Sequence, residues 1–301
     1  MKIGIDLGGS HIGMGVVDEN GEIIEKTEKR ITSIEKEDIK KSIEECIIGN
    51  AINFCNKYKV TDIGMSIPGT LNKNTIIKSV NLGLENYEIV DRLKERINLP
   101  IKIKNDAKCA AIAENRLGCL KKYKRSIFLT LGTGIGGAVV IDNKLLDTGE
   151  LPGCEFGHMV IEKDGKLCKC GKFGCWEKYA SMKSFKDKLR KELGYTEKTR
   201  GEELLNIIRN NNPENEEYEK IETVVNEYIE YLSIGIANLI NIFEPEAIGI
   251  GGSFVYFEGV LMNRLKNKLL ESGILFNTRS EMLMETAILG NEAGIIGATL
   301  I

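Results

Sequence analysis

Residues 126–142 read SIFLTLGTGIGGAVVID: an apolar run, a glycine turn and a second apolar run. The turn, Gly132-Thr133-Gly134-Ile135-Gly136-Gly137, matches the dinucleotide fingerprint G-x-G-x-x-G, which must open a helix. Here it opens Ala138-Val139-Val140-Ile141-Asp142-Asn143, an apolar stretch ending in turn residues, which reads as a strand. The dinucleotide reading fails on that point. What remains is a glycine hairpin whose amides and Thr133 hydroxyl can cradle a phosphate. The same device heads the chain, where residues 2–18, KIGIDLGGSHIGMGVVD, again run strand, glycine turn, strand. This duplication predicts two similar α/β domains facing one another, with a boundary near Gly118.

Working outward, Glu22 to Lys26 reads as a third strand of the first meander. Ile39, Ile43, Ile47, Ala51 and Phe54 have helical spacing over about 35–57. A short apolar strand, Ile63 to Ile67, stops at Pro68-Gly69. Helix, strand and helix then alternate at 89–97, 101–104 and 107–117. Past the second hairpin, Asp142-Asn143-Lys144 reads as a turn, and the chain is largely helical over about 176–194, 201–211 and 215–242. A buried strand, Ala247 to Ile250, runs into Gly251-Gly252-Ser253, and residues 287–301 read as a closing helix of small residues.

Composition narrows the classes. Charges nearly balance across 301 residues, for a formal net charge of −3, which argues against nucleic acid as a partner. No apolar run approaches the ~20 residues needed to span a bilayer, so no membrane partner is expected. Met1 to Asp6 reaches a charge at once and does not read as a signal peptide, so a cytoplasmic location is expected. In that reducing compartment eight cysteines are not expected to pair. Five (Cys46, Cys55, Cys109, Cys119, Cys154) are scattered, and most of these read as small core residues. No G-x-x-x-x-G-K-[ST] run occurs, which excludes a P-loop NTPase.

Four constellations carry chemistry. Asp6-Leu7-Gly8-Gly9-Ser10 places an acid at a strand end before two glycines, suited to a phosphate held by backbone amides and to a hydrated magnesium ion; the bland reading is a plain β-turn. The hairpin at Gly132, Thr133 and Gly134 would face it across a triphosphate. In Lys104-Asn105-Asp106-Ala107, Asn105 can bond a hydroxyl and Asp106 can accept its proton, although Asp before a helix is also a common N-cap. Finally, His158 with Cys168, Cys170 and Cys175 makes a Cys₃His set suited to tetrahedral zinc. Lys169, Lys172 and the glycines between them make that segment unfit for a core. With all four positions filled by protein, the metal would be structural, fixing Glu155, Glu177 and the other face of His158 around a ligand.

Taken in order, these segments resemble the ROK family of sugar kinases and sugar-responsive repressors along essentially the whole chain. Asp6-Leu-Gly-Gly9 is similar to its first phosphate motif, Pro68-Gly69 to its sugar loop and Asn105-Asp106-Ala107 to its catalytic motif. Leu131 to Gly137 is similar to its second phosphate motif. Gly153-x-Glu155-x-Gly157-His158 and Cys168-x-Cys170-Gly-x-x-Gly-Cys175-x-Glu177 are similar to its sugar and zinc signatures. Pro245-Glu246-Ala247 through Gly251-Gly252 is similar to its adenosine turn, and Leu289-Gly290-Asn291 to its closing helix. The resemblance implies a two-domain actin-like (ribonuclease H-like) fold with a cleft. The expected lobes are 1–117 with 288–301, and 118–287 carrying the zinc loop. It implies ATP, Mg²⁺ and structural Zn²⁺, and transfer to a hexose 6-hydroxyl with Asp106 as base. Gly69, Asn105, Asp106, Glu155, His158 and Glu177 would hold the sugar. Asp6, Gly8, Gly9, Ser10, Gly132, Thr133, Gly134, Gly251 and Gly252 would hold the nucleotide.

The resemblance also implies a homodimer or homotetramer. Ser10-His11, Lys104, Cys154 and Ser253 depart from the family pattern. Gly-Cys-Trp-Glu at 174–177 is shared with one glucokinase branch and points to glucose, with N-acetylmannosamine, allose and fructose as alternatives. The rival class is a sugar-sensing repressor. Such a protein carries a helix-turn-helix ahead of the first phosphate motif, and Asp6 lies five residues from Met1.

Overall fold

The computed structural model describes residues 1–9, 11–30, 39–146, 153–271, 273–277, 281 and 283–301. The first meander forms where the sequence places it: β1 (Lys2–Leu7), β2 (His11–Val17) and β3 (Ile23–Arg30), with β3 running past the expected Lys26. Then come α1 (Ile39–Lys57) and β4 (Ile63–Ile67), followed by β5 (Thr70–Asn72), β6 (Thr75–Ser79) and β7 (Leu84–Tyr87). These last three form a small sheet the sequence reading missed, because strands of three to five residues are too short to show a period. α2 (Ile89–Lys94), β8 (Ile101–Asn105) and α3 (Asp106–Arg116) complete this stretch. The main sheet runs β3-β2-β1-β4-β8, with β1 antiparallel to β2 and parallel to β4, and β4 parallel to β8.

The second half repeats the plan. β9 (Arg125–Leu131), β10 (Ile135–Ile141), β11 (Lys144–Leu145), β12 (Ala247–Gly251) and β13 (Met284–Thr286) order as β11-β10-β9-β12-β13. β12 is parallel to both β9 and β13. Asp142 and Asn143 both have positive φ, 49° and 60°, which makes the two-residue primed turn of a hairpin. Lys144 therefore begins a strand and is not part of the turn. Between β11 and β12 lie α4 (Glu177–Ala180), α5 (Met182–Glu192), α6 (Gly201–Arg209) and α7 (Tyr218–Phe243). The expected single helix at 176–194 is broken at Ser181, whose hydroxyl caps α5 by accepting from the Ser184 amide. α8 (Glu258–Leu270) and the short α9 (Ala293–Ala298) close the chain.

The chain divides into two compact units: Met1–Lys122 with Ala138–Gly153 and Ile288–Ile301, and Tyr123–Gly137 with Cys154–Ala287. The core of the first is the buried face of β1, β2 and β4 packed with α1, α2 and the small sheet. Its other face is covered by α9, which lies against the strand backbones themselves. A Cβ on Gly4 would stand 2.0 Å from the Ile295 carbonyl oxygen, and one on Gly64 1.6 Å from that of Ala298. On the helix side, a Cβ on Gly297 would stand 2.0 Å from the Cys109 carbonyl oxygen in α3. Buried Glu114 ties the approach to α9 into place. Its Oε1 accepts from the amides of Ile288 and Leu289 at 3.0 and 2.9 Å, and its Oε2 from that of Cys119 at 2.9 Å.

Of the five scattered cysteines only Cys46 and Cys109 are buried; Cys55 is exposed and Cys119 and Cys154 are intermediate, so core packing accounts for two of them and not for most.

Two glycines separate packing from propensity. Gly64→Ala should cost about 1–3 kcal/mol or more, because a rigid carbonyl occupies the Cβ position. Gly49→Ala, on the exposed face of α1 with nothing near its Cβ, should stabilise by roughly 0.5–1 kcal/mol. Thermal melting of both variants checks the pair; equal melting temperatures would remove the close approach as a constraint.

Candidate functional site

In the first unit the candidate residues collect at the carboxyl ends of neighbouring parallel strands, where open α/β sheets present ligand sites. Asp6 stands opposite Ser66 in the β1–β4 register, and Ser66 opposite Lys104 in the β4–β8 register. The fully buried Ser66 hydroxyl donates to Asp6 Oδ1 at 2.7 Å. Burial raises the Asp6 carboxyl above the usual range, the Ser66 bond opposes the rise, and repulsion from Asp106 adds to it. Attraction from His11 and Lys26 also opposes the rise without overcoming it, and a half-buried carboxylate of this kind fits a bound cation. The glycines around it let other backbones come near. A Cβ on Gly294 would stand 2.4 Å from Asp6 Cγ, and the Gly8 amide donates to the His11 carbonyl at 2.9 Å. Of the predicted phosphate residues here, Gly8 and Gly9 are seen, and Ser10 lies outside the described residues.

Asn105, and not Asp106, is the N-cap of α3. Its Oδ1 accepts from the amides of Ala107 and Lys108 at 3.0 and 3.4 Å, while Asp106 is the first helical residue. The same Asn105 turns its Nδ2 to the Gly69 carbonyl at 3.1 Å, which brings the two predicted sugar contacts together. Gly69 has φ +111°, and a Cβ there would stand 2.3 Å from the Lys78 carbonyl oxygen, so both backbone and space require glycine. With the cap supplied by its neighbour, Asp106 keeps an exposed edge, and its Oδ1 accepts from the Ala107 amide at 2.9 Å. Desolvation by the surrounding chain raises its pKa, against the lowering effect of that amide.

The second unit carries the other set. The turn between β9 and β10 is tighter than expected, since Ile135 to Gly137 already belong to β10 and the turn itself is Gly132-Thr133-Gly134. Nothing lies within 4 Å of a Cβ on Gly132, whereas one on Gly134 would stand 2.5 Å from Glu177 Oε2. Gly251 and Gly252 meet the same strand end: Gly252 has φ +73°, and its Cβ would lie 2.6 Å from the Leu131 carbonyl oxygen.

His158, Cys168, Cys170 and Cys175 bring their ligand atoms within 4.8 Å of one another. Cys170 and Cys175 sulfurs are 3.5 Å apart, and His158 Nδ1 is 3.7 Å from Cys168 Sγ. Tetrahedral zinc, with Zn–S of about 2.3 Å and Zn–N near 2.0 Å, sets such separations at roughly 3.5–3.8 Å. The donor set fits zinc. Cys168 and Cys175 are buried with Trp176, contrary to the expectation that this segment avoids the interior, and burial pushes the Cys175 thiol up to about 12. Such thiols gain most from a cation that takes them as thiolates. The knuckle is shaped by glycine. Gly174 has φ +75°, and its Cβ would fall 1.6 Å from the Glu162 carbonyl oxygen.

Glu177, the first residue of α4, joins the two features. Its Oε1 accepts from Cys168 Sγ at 3.3 Å and lies 3.9 Å from His158 Nδ1, while its Oε2 fills the space beside Gly134. Because Nδ1 faces Cys168 Sγ, Nε2 is the ring nitrogen turned away from that thiol. Glu155 is exposed just before the 3-10 turn Phe156–His158, and its carbonyl accepts from the His158 amide at 3.0 Å. Sequence reading passed over Ser66, although a serine between Met65 and Ile67 in an otherwise apolar strand was a signal for it.

The profile of the ROK family matches residues 2–301. This chain belongs to the ROK family. The ROK relative from Streptomyces coelicolor, a glucokinase, is 30% identical over 99% of this chain and 96% of its own length. The xylose repressor of Bacillus subtilis is 28% identical over 89% of this chain and 68% of its own. Among solved structures, a ROK family glucokinase from Streptomyces griseus in complex with glucose and AMPPNP superposes with a TM-score of 0.79. It is 28% identical and covers 99% of this chain and 98% of that one. The fold is the actin-like ATPase fold of the ROK sugar kinases.

Elemental analysis should find about one zinc per chain, falling well below that in Cys175→Ser; purified protein without zinc would end the metal assignment. A companion pair tests the Glu177 contact. Gly134→Val should lower both metal retention and melting temperature, by about 1–3 kcal/mol of overpacking, while Gly132→Ala leaves both as they are. Equal behaviour of the two variants would detach Glu177 from the turn.

Proposed function

We propose that this ROK protein is an ATP-dependent sugar kinase that phosphorylates the 6-hydroxyl of a hexose, glucose first among candidates, with Asp106 as general base. The observation that carries the reading is the division of labour at the start of α3. Asn105 caps the helix and so releases the Asp106 carboxylate, at a strand end beside Asp6, to serve an attacking hydroxyl. Glucokinase relatives and the AMPPNP-bound neighbour support sugar and ATP as substrates.

In this reading Asp106 orients the hydroxyl and takes its proton as the oxygen attacks the terminal phosphorus and ADP departs. Gly69, Asn105, Glu155, Glu177 and His158 would hold the sugar. His158, Cys168, Cys170 and Cys175 would hold a structural zinc, which would fix the orientation of His158 and Glu177. The turns at Gly8-Gly9 and Gly132–Gly134 hold the phosphates through the Thr133 hydroxyl and through amides other than those of Gly8 and Gly132, which already donate to the His11 and Gly134 carbonyls, and Gly251-Gly252 bounds the nucleoside. Asp6 would hold Mg²⁺, which when bound offsets charge on the transferring phosphoryl group. The working protein is a cytoplasmic homodimer or homotetramer. A sugar-responsive regulator is the second reading, supported by the repressor relatives.

Asp106→Asn tests the base. The cap is untouched, so the melting temperature should stay near wild type while turnover on glucose and ATP falls by about 10²–10⁴. Because the base must be ionised and its pKa is raised, wild-type turnover should fall on the acid side through a pKa above the ordinary aspartate value of about 3.9. That limb should vanish from the residual activity of the variant. Turnover above about a tenth of wild type would show that Asp106 is not the base. Sugar binding by the wild-type protein without turnover on any hexose would favour the regulator.

A further inference from the structure

The second unit holds a cavity of about 520 Å³ bounded by Gly132, Thr133 and Ser253 on one side and by α5 on the other. The two sides are joined by backbone, since the Lys183 amide donates to the Gly132 carbonyl at 3.0 Å. Three cations of α5 line it: Lys183, Lys186 and Arg190. Two are already partnered. Asp187 pairs with Lys183, and it accepts from Arg190 at 3.0 Å. Arg190 also donates to the Thr199 carbonyl at 3.1 and 2.8 Å. Glu197 lines the cavity too, as an exposed residue. Three cations against two carboxylates leave one positive charge in excess.

That excess sits on Lys186. It is half-buried and, among the described residues, makes no hydrogen bond or ion pair. Its Nζ lies 3.9 Å from where a Cβ on Gly201 would stand, at the first residue of α6, whose N-terminal amides are themselves positive. Burial, then repulsion from Arg190, lowers its pKa, with Asp187 working against them. A lysine so placed is costly until an anion arrives. By contrast, in the roughly 600 Å³ concavity on α1 and α2 of the first unit, Glu44 already accepts from Tyr87 and Arg92, and Arg92 also pairs with Glu95.

The geometry points to Lys186 as the cation that binds the phosphate chain of the phosphoryl donor, with the donor chosen by its charge more than by its base. The second part follows from the lining, which includes glycine, threonine, serine and charged side chains but, among the described residues, no aromatic ring on which a base could stack. This deepens the kinase reading and rests on it for the word donor. The anion site itself stands on the cavity and its unmatched charge.

Isothermal titration with ATP–Mg²⁺ and with inorganic tripolyphosphate, on wild type, Lys186→Met, Lys186→Arg and the control Lys191→Met, tests both parts. Lys186→Met should weaken both ligands about tenfold or more, as expected for one charge-assisted bond. Lys186→Arg should recover most of the loss, and Lys191→Met should bind as wild type does. Exchanging ATP for GTP or ITP should change affinity less than Lys186→Met does. The donor KM should rise in Lys186→Met while kcat changes little. Near-wild-type binding of both ligands by Lys186→Met, with its melting temperature unchanged, overturns the assignment and leaves the kinase reading intact. A larger loss from base exchange than from Lys186→Met overturns the charge-selection part. Lys186-dependent tripolyphosphate binding in a protein that phosphorylates no hexose keeps the anion site and removes the kinase reading. Wild type that binds neither ligand removes both.

Discussion

The first unit depends on a contact in which side chains are missing. α9 lies directly on the backbones of β1 and β4 because Gly4 and Gly64 present bare peptide to it, and Gly297 does the same toward α3. An alanine at Gly64 would meet a carbonyl oxygen at little more than bonding distance. This close approach decides where Asp6 can be, since Gly294 of the same helix leaves just enough room for its carboxyl group. It also positions α3, whose first turn carries Asn105 and Asp106. The acids of the site are therefore held by backbone packing, which has none of the rotamer freedom of a side-chain contact.

Glu114 secures the same arrangement from the other end of α3. A buried carboxylate is expensive unless its lone pairs are filled, and here amides from two separate segments fill them. Three residues at the two ends of this helix thus do different work. Asn105 satisfies the orphan amides of the first turn, Asp106 is left available, and Glu114 joins the last turn to the segment that leads into α9.

In the second unit the corresponding element is Glu177, whose two oxygens face different structures. One approaches Cys168 and His158 of the zinc set, the other the Cα of Gly134. A metal at the cysteines would thereby set the orientation of a carboxylate that touches the glycine turn. Trp176, one residue earlier, anchors the knuckle by donating to the Tyr231 carbonyl at 2.8 Å and by lying against Gly235 of α7.

Sequence alone determined the features that depend on local backbone rules and on chemically rare groupings. Apolar runs punctuated by glycine located β1, β2, β4, β9 and β12, and the repeated strand–glycine turn–strand order revealed the duplicated sheet, because turn chemistry is local. The Cys₃His set was legible because three cysteines and a histidine within eighteen residues are a grouping that tetrahedral metal binding requires and ordinary core packing does not. Tertiary structure decided what depends on neighbours distant in the chain. Both Asn105 and Asp106 could cap a helix by propensity, and only the backbone geometry at the β8–α3 junction gave the role to Asn105. The strands β5, β6 and β7 and the hairpin strand β11 exist by pairing and not by any period of their own. Lys186 is one of many lysines in the sequence; that it has no ion-pair partner among the described residues is a fact about surrounding space, and composition carries no record of that.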